Sequence, residues 1–124
     1  MSVHSYAKFL DVLLNKGRTP AGKQILNEAA VHTLTHDQTP LGAFSHGWKV
    51  RPCHVTTAAG TRITTACSWG GYAATTAYLF PDEGAYVILG QQIMRYTPAM
   101  DVVKNLMEKQ VGNILCAMLG DVAL

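Results

Sequence analysis

The sequence predicts an α+β fold: two N-terminal helices, an antiparallel sheet of about three to four strands and a long C-terminal helix. Three observations carry that expectation. Apolar residues recur at helical spacing near both ends of the chain, and β-branched or alternating stretches fill the middle. Nowhere do strands and helices alternate in the βαβ order that a doubly wound parallel sheet requires.

Between residues 5 and 15, Tyr6, Phe9, Leu10, Val12, Leu13 and Leu14 fall mostly on one broad helical face, while Lys8, Asp11 and Asn15 fall elsewhere. Ser5 is the expected N-cap, because its hydroxyl can accept an orphan amide, and Gly17 is the expected left-handed stop. Residues 18–23, with Pro20 and Gly22, read as a turn. Asn27 should cap a second helix over 28–35, with Glu28 favourably placed in its first turn. The polar stretch 36–45 contains Pro40 and Gly42 and reads as a loop.

After that loop the period shortens. Trp48, Val50 and Pro52 alternate with Lys49 and Arg51, and residues 62–68 are rich in β-branched side chains, which gives two strands joined through 56–61. Two more strands, 72–80 and 85–92, flank Pro81-Asp82-Glu83-Gly84 and make a hairpin. Thr97 caps a last helix with Pro98 at its first position, where the missing N–H costs nothing. Its stripe of Met100, Val103, Met107, Val111, Ile114, Leu115 and Met118 runs nearly to Gly120 and needs a sheet or another helix to cover it.

A chain of 124 residues is one small domain or a piece of a larger one. Hydrophobic residues make up 48% and charged ones 15%, which favours a homo-oligomer or complex that covers apolar surface. The formal charge of +2 is scattered without a basic run, so nucleic acid is not an expected partner. Nor is a membrane, because no uninterrupted apolar stretch is long enough to span a bilayer and no leader segment is recognisable. Cys53, Cys67 and Cys116 are odd in number and unrelated in spacing, unlike a disulfide framework, and favour reduced thiols in a cytosol-like compartment.

Three stretches resemble the serine β-lactamase and penicillin-binding-protein-like hydrolases. The run from Tyr6 to Gly17, followed by Gly22-Lys23-Gln24-Ile25-Leu26-Asn27-Glu28, is similar to a segment of that family's helical lobe. Gly47-Trp48-Lys49-Val50 is similar to the strand that returns to the sheet. Ser68-Trp69-Gly70-Gly71-Tyr72-Ala73-Ala74-Thr75, with Tyr78-Leu79-Phe80-Pro81-Asp82-Glu83 after it, is similar to the strand, turn and strand near the end of the catalytic domain. Order and spacing agree over nearly the whole chain. The resemblance implies a C-terminal portion of such a domain, with 1–46 a remnant of the helical lobe and 47–124 the sheet and last helix.

In the esterase-like branch Trp-Gly-Gly replaces the Lys-Thr-Gly triplet beside the nucleophile, and Trp69-Gly70-Gly71 resembles that version. The implied substrate is a small ester or a β-lactam-like amide, hydrolysed through an acyl-enzyme without a cofactor. Trp69, Gly70 and Gly71 would bind substrate, and the backbone N–H of Tyr72 would be one of two oxyanion donors, a kind of contact worth about 3–4 kcal/mol. The bland alternative is a strand entrance with a bulge. The family's Ser-x-x-Lys and Tyr-x-Asn motifs have no recognisable copy here. Ser5-Tyr6-Ala7-Lys8 fits the first by letters alone, since its surroundings match the later helical segment and Lys8 lies on the polar side. The chain by itself is therefore expected to be inactive, its complement being either the missing N-terminal portion or, for a free-standing relative, other copies of itself. An oligomerising or ligand-binding module derived from the same fold is the alternative.

The histidines suggest no metal. His32 and His36 have i, i+4 spacing but lack the intervening glutamate of a zinc-hydrolase helix, and Cys53-His54 with Cys67 read as structural thiols more readily than as ligands. Tyr72, Tyr78, Phe80 and Tyr86 read as sheet-face packing, and His46 and Trp48 as candidates for the cleft of Trp69.

Overall fold

The computed structural model describes residues 2–36, 38–40, 43–71, 75–92, 97–103, 105, 106, 110 and 118. It is an α+β arrangement in which α1 (Val3–Leu14) and α2 (Glu28–Thr35) precede a four-stranded antiparallel sheet of β1 (Lys49–Thr57), β2 (Gly60–Gly70), β3 (Thr76–Phe80) and β4 (Ala85–Leu89). The strands lie in sequence order, a meander.

The first helix begins earlier than the apolar pattern suggests. Ser2, not Ser5, is the N-cap: its hydroxyl accepts the Ser5 amide at 3.1 Å, and Ser5 lies inside the first turn. Gly17 does close the helix in the left-handed region at φ +86°, its N–H donating to the Val12 carbonyl at 2.8 Å, and its α-hydrogen faces the Leu26 carbonyl where a side chain would collide. Asn27 caps α2 as expected, its Oδ1 accepting the Ala30 amide at 2.7 Å.

The first two strands are longer than their composition suggests. Residues 56, 57, 60 and 61, read as connector, are paired strand, and Ala58 and Ala59 alone make the turn. Gly60 at φ +125° takes the unusual backbone angle, which frees the alanines of it. The later strands are shorter: β3 starts at Thr76 and β4 ends at Leu89, while residues 72–74 of the expected third strand lie outside the described residues. Pro81–Glu83 form a 3₁₀ turn before Gly84. Of the stretch expected to form a long C-terminal helix, residues 98–103, 105, 106, 110 and 118 are helical, with the Thr97 hydroxyl accepting the Met100 amide at 3.3 Å, and the remainder lies outside the described residues. Met107, Val111, Ile114 and Leu115 lie outside the described residues.

Strand register sorts the side chains onto two faces. Val50, Cys67, Leu79 and Tyr86 are successive cross-strand partners on the helix-bearing face. There Leu10 and Leu13 of α1, Val31 of α2, Trp48, Val50, Cys67, Ala77 and Leu79 form the main core. Each buried aliphatic side chain of this kind contributes about 1.5–3 kcal/mol. The Cys67 thiol donates to the Thr35 carbonyl at 3.1 Å and so ties the end of α2 to the middle of the sheet. Val55 and Phe80, with Cys53, Ala66, Tyr78, Ala85 and Val87 around them, cluster on the opposite face. Tyr86 therefore faces away from Tyr78 and Phe80 and does not continue one aromatic stripe with them, because a tight antiparallel hairpin sets it opposite Leu79.

Candidate functional site

β2 outruns its neighbour at its end. The last pair with β1 is Lys49 opposite Ser68, so Trp69 and Gly70 have β3 on one side and no β1 residue on the other. The Gly71 N–H donates to the Thr75 carbonyl at 2.7 Å. Antiparallel alternation then directs the Gly70 N–H and C=O away from β3, towards the side that β1 leaves open. The other end of the strand shows the contrasting case. The Thr65 N–H, which points past the end of β3, is taken up by the Asp82 carboxylate at 3.2 Å.

Beside this free stretch lies a trough of about 520 Å³ on the face opposite α1 and α2. Trp69, Gly70 and Gly71, the three residues singled out by resemblance, all line it. Trp69 is 56% exposed, and its pairing with Ala77 of the main core directs its ring to the helix-bearing side rather than over the trough. A Cβ at Gly70 would sit 3.6 Å from the Thr76 hydroxyl oxygen, and one at Gly71 would sit 3.6 Å from the Thr75 carbonyl oxygen. Those are ordinary contacts, so neither glycine is required by crowding. Tyr72, the expected oxyanion donor, lies outside the described residues.

The sequence reading missed the rest of the lining. Lys49 and Arg51 of β1, Ser68 of β2 and Tyr78 of β3 share the face and surround the same space. The alternation Lys49-Val50-Arg51 placed both cations on one side of a strand, but only the hairpin register sets them beside Ser68 and Tyr78. Among the described residues no carboxylate lines the trough, so two cations, hydroxyls and exposed strand backbone suit it to an oxyanion such as a carboxylate. Lys49, Ser68 and Tyr78 form one cross-strand row. Among the described residues no hydrogen bond joins the Ser68 hydroxyl to a base, and without that contact a serine hydroxyl is a weak nucleophile.

Ser5 and Lys8 are both exposed on α1, and the Ser5 hydroxyl bonds that of Ser2 at 3.0 Å. They occupy no pocket with Trp69. His32 and His36 stack face to face with ring centroids 3.7 Å apart and planes 7° from parallel, while His36 Nδ1 engages the His32 carbonyl oxygen at 3.0 Å. Parallel rings do not converge their lone pairs on one ion. Cys53 and Cys67 lie on opposite faces of the sheet, and His54 pairs with Ile63, four positions from Cys67, so the Cys53-His54-Cys67 set is not a metal site. Among the described residues no group of three metal-binding side chains is assembled. Trp48 is buried in the core at 5% exposure, and neither it nor His46 lines the trough.

Electrostatic perturbation is concentrated away from the trough. Burial pushes the Cys67 thiol up to about 12, the signature of a structural thiol with no tendency to become a nucleophile. Glu83 is held below its usual range chiefly by its hydrogen bonds from the Arg62 guanidinium, one of them 2.8 Å from Nη2 to Oε2. That pair fastens the 3₁₀ turn to β2.

No family model matches the chain, and neither a curated protein nor a solved structure is matched by it. No helix among the described residues is long and apolar enough to cross a membrane.

Proposed function

We propose that the chain is the C-terminal portion of a β-lactamase-related serine hydrolase catalytic domain, of the esterase-like kind. In this reading it supplies the wall of an acyl pocket, and the attacking serine comes from residues outside it. One observation supports the reading above others: Trp69-Gly70-Gly71 runs past the end of β1, with the Gly70 backbone directed into open space beside a trough. An acyl group needs that arrangement, because its carbonyl must approach a strand backbone that no side chain or neighbouring strand obstructs. Lys49 and Arg51 would attract the carboxylate released on hydrolysis of an ester.

The test has two arms on the full chain. Against p-nitrophenyl acetate and nitrocefin it should show no turnover above buffer. Titration with butyrate, a simple acyl product, followed by amide NMR should move the Gly70 and Gly71 resonances. Turnover abolished by Ser5→Ala or by Ser68→Ala would place the nucleophile within this chain and sink the reading. Butyrate shifts absent from Gly70 and Gly71 would remove the pocket.

A second reading, an oligomerising module of the same descent that has no catalytic role, is favoured by apolar side chains left in solvent. Ile63 is 66% exposed, and Met100, Val102, Val103 and Leu106 of the C-terminal segment are all exposed.

A further inference from the structure

The two edges of the sheet are built differently. Outward-pointing backbone on β1 belongs to Val50, Pro52 and His54, because their neighbours Lys49, Arg51 and Cys53 face β2 across hydrogen-bonded pairs. The Val50 N–H is already used by the Ala43 carbonyl at 2.8 Å, and Pro52 has no N–H to offer. Lys49 and Arg51 add like charge along the same strand. Such an edge repels a further strand, above all one carrying the same sequence.

β4 has none of these guards. Its sequence is Ala85-Tyr86-Val87-Ile88-Leu89, without charge, proline or glycine. Following the alternation from the Gly71–Thr75 bond across the sheet, Ala85, Val87 and Leu89 turn their backbone groups towards β3. The N–H and C=O of Tyr86 and Ile88 point outward, and no residue among those described pairs with them. Four backbone groups on a neutral edge are thus presented to whatever strand arrives.

We infer that this edge joins a second copy of the chain, β4 to β4 in antiparallel fashion about a two-fold axis at Val87, giving one continuous eight-stranded sheet. The register follows from the geometry. Pairing Tyr86 with Ile88 of the second copy, and the reverse, uses all four outward groups in four hydrogen bonds, and it sets the two Val87 side chains directly opposite one another. A two-fold contact must be self-complementary, and a neutral edge meets its own copy without repulsion where β1 would not. Apolar surface continues beyond the backbone. Val3 is 54% exposed and Phe9 41% exposed on α1, the helix that packs against β4. This inference stands apart from the hydrolase reading, since it needs no substrate and no nucleophile.

The experiment is light scattering across a concentration series on the full chain, followed by charge variants at the axis. The wild type should be a dimer. Val87→Lys and Val87→Glu each place like charges face to face and should weaken association at least about tenfold, whereas an equimolar mixture of the two should re-form a heterodimer. Circular dichroism verifies that each variant is folded. Should either fail to fold, Val87→Cys substitutes for both: under mild oxidation it should cross-link two chains, with the linked peptide mapping to position 87 on each. A wild type that stays monomeric at all concentrations overturns the inference. So does a dimer indifferent to the charge variants, which would rest on another surface, and so does a Val87→Cys chain that oxidises without an 87-to-87 link.

Discussion

Replacing Gly70 with alanine separates the two reasons for which a strand glycine is kept. Gly70 is not among the glycines with positive φ, and its added Cβ would meet the Thr76 hydroxyl oxygen at 3.6 Å and the Thr75 carbonyl oxygen at 3.9 Å, without overlap. The folded state therefore accepts the methyl group, while the unfolded chain loses backbone freedom, which predicts a gain of about 0.4–1 kcal/mol. A chain of 124 residues has an unfolding entropy of about 0.26 kcal/mol per kelvin, so Tm should rise by about 2–4 °C. The same methyl projects into the trough. Crowding of about 1 kcal/mol there corresponds to about fivefold weaker butyrate binding. Thermal and urea denaturation measure the first effect and amide NMR titration the second. Gly70→Ala destabilised by more than about 1 kcal/mol would mean that the backbone itself demands glycine, and the argument from an open acyl wall would fall. Gly17→Ala is the internal contrast: with φ at +86° and the Leu26 carbonyl in the way, it should lose about 2 kcal/mol or more.

Further expectations follow from the electrostatics and the core. Because the folded state holds Glu83 below its usual range, its contribution is present above the unfolded pKa and is lost as pH falls through the folded value. The urea midpoint should therefore drop between about pH 5 and about pH 3 in the wild type and change less over that window in Glu83→Gln. Cys67 carries a raised thiol pKa in the folded state, so its contribution holds below about pH 9 and declines as pH climbs towards about 12. In a Cys116→Ser background, a thiol reagent near neutral pH should label half-buried Cys53 readily and Cys67 only at the rate of unfolding, read by peptide mass. Leu79→Ala empties a fully buried position in a central strand and should cost about 2–5 kcal/mol in denaturant unfolding.

Local chemistry made much of the fold legible. Asn27 and the apolar spacing of 28–35 located α2 to the residue, and Pro81 to Gly84 located the β3–β4 hairpin, because a cap and a turn act over a few positions. Where two local signals competed, the outcome was settled by context. Ser2 and Ser5 are both competent caps, and the helix starts at the earlier one because Val3 and His4 can extend it. Thr56, Thr57, Gly60 and Thr61 resemble a loop by composition but are held as strand by register with their hairpin partners. The candidate site was half legible. Trp69, Gly70 and Gly71 were conspicuous as a contiguous triplet, whereas Lys49, Arg51, Ser68 and Tyr78 come from three strands and meet only once the pairing is known.

The placement of α1 and α2 against one side of the sheet has a consequence for how such a chain can diverge. Main-core side chains such as Leu10, Val31 and Leu79 sit with the helices, while Lys49, Arg51 and Ser68 look the opposite way and take no part in that core. Drift at those three positions can retune what the molecule recognises at little cost to its foldability. Each β-strand thus carries two tasks on alternate residues, and selection can act on one while leaving the other untouched.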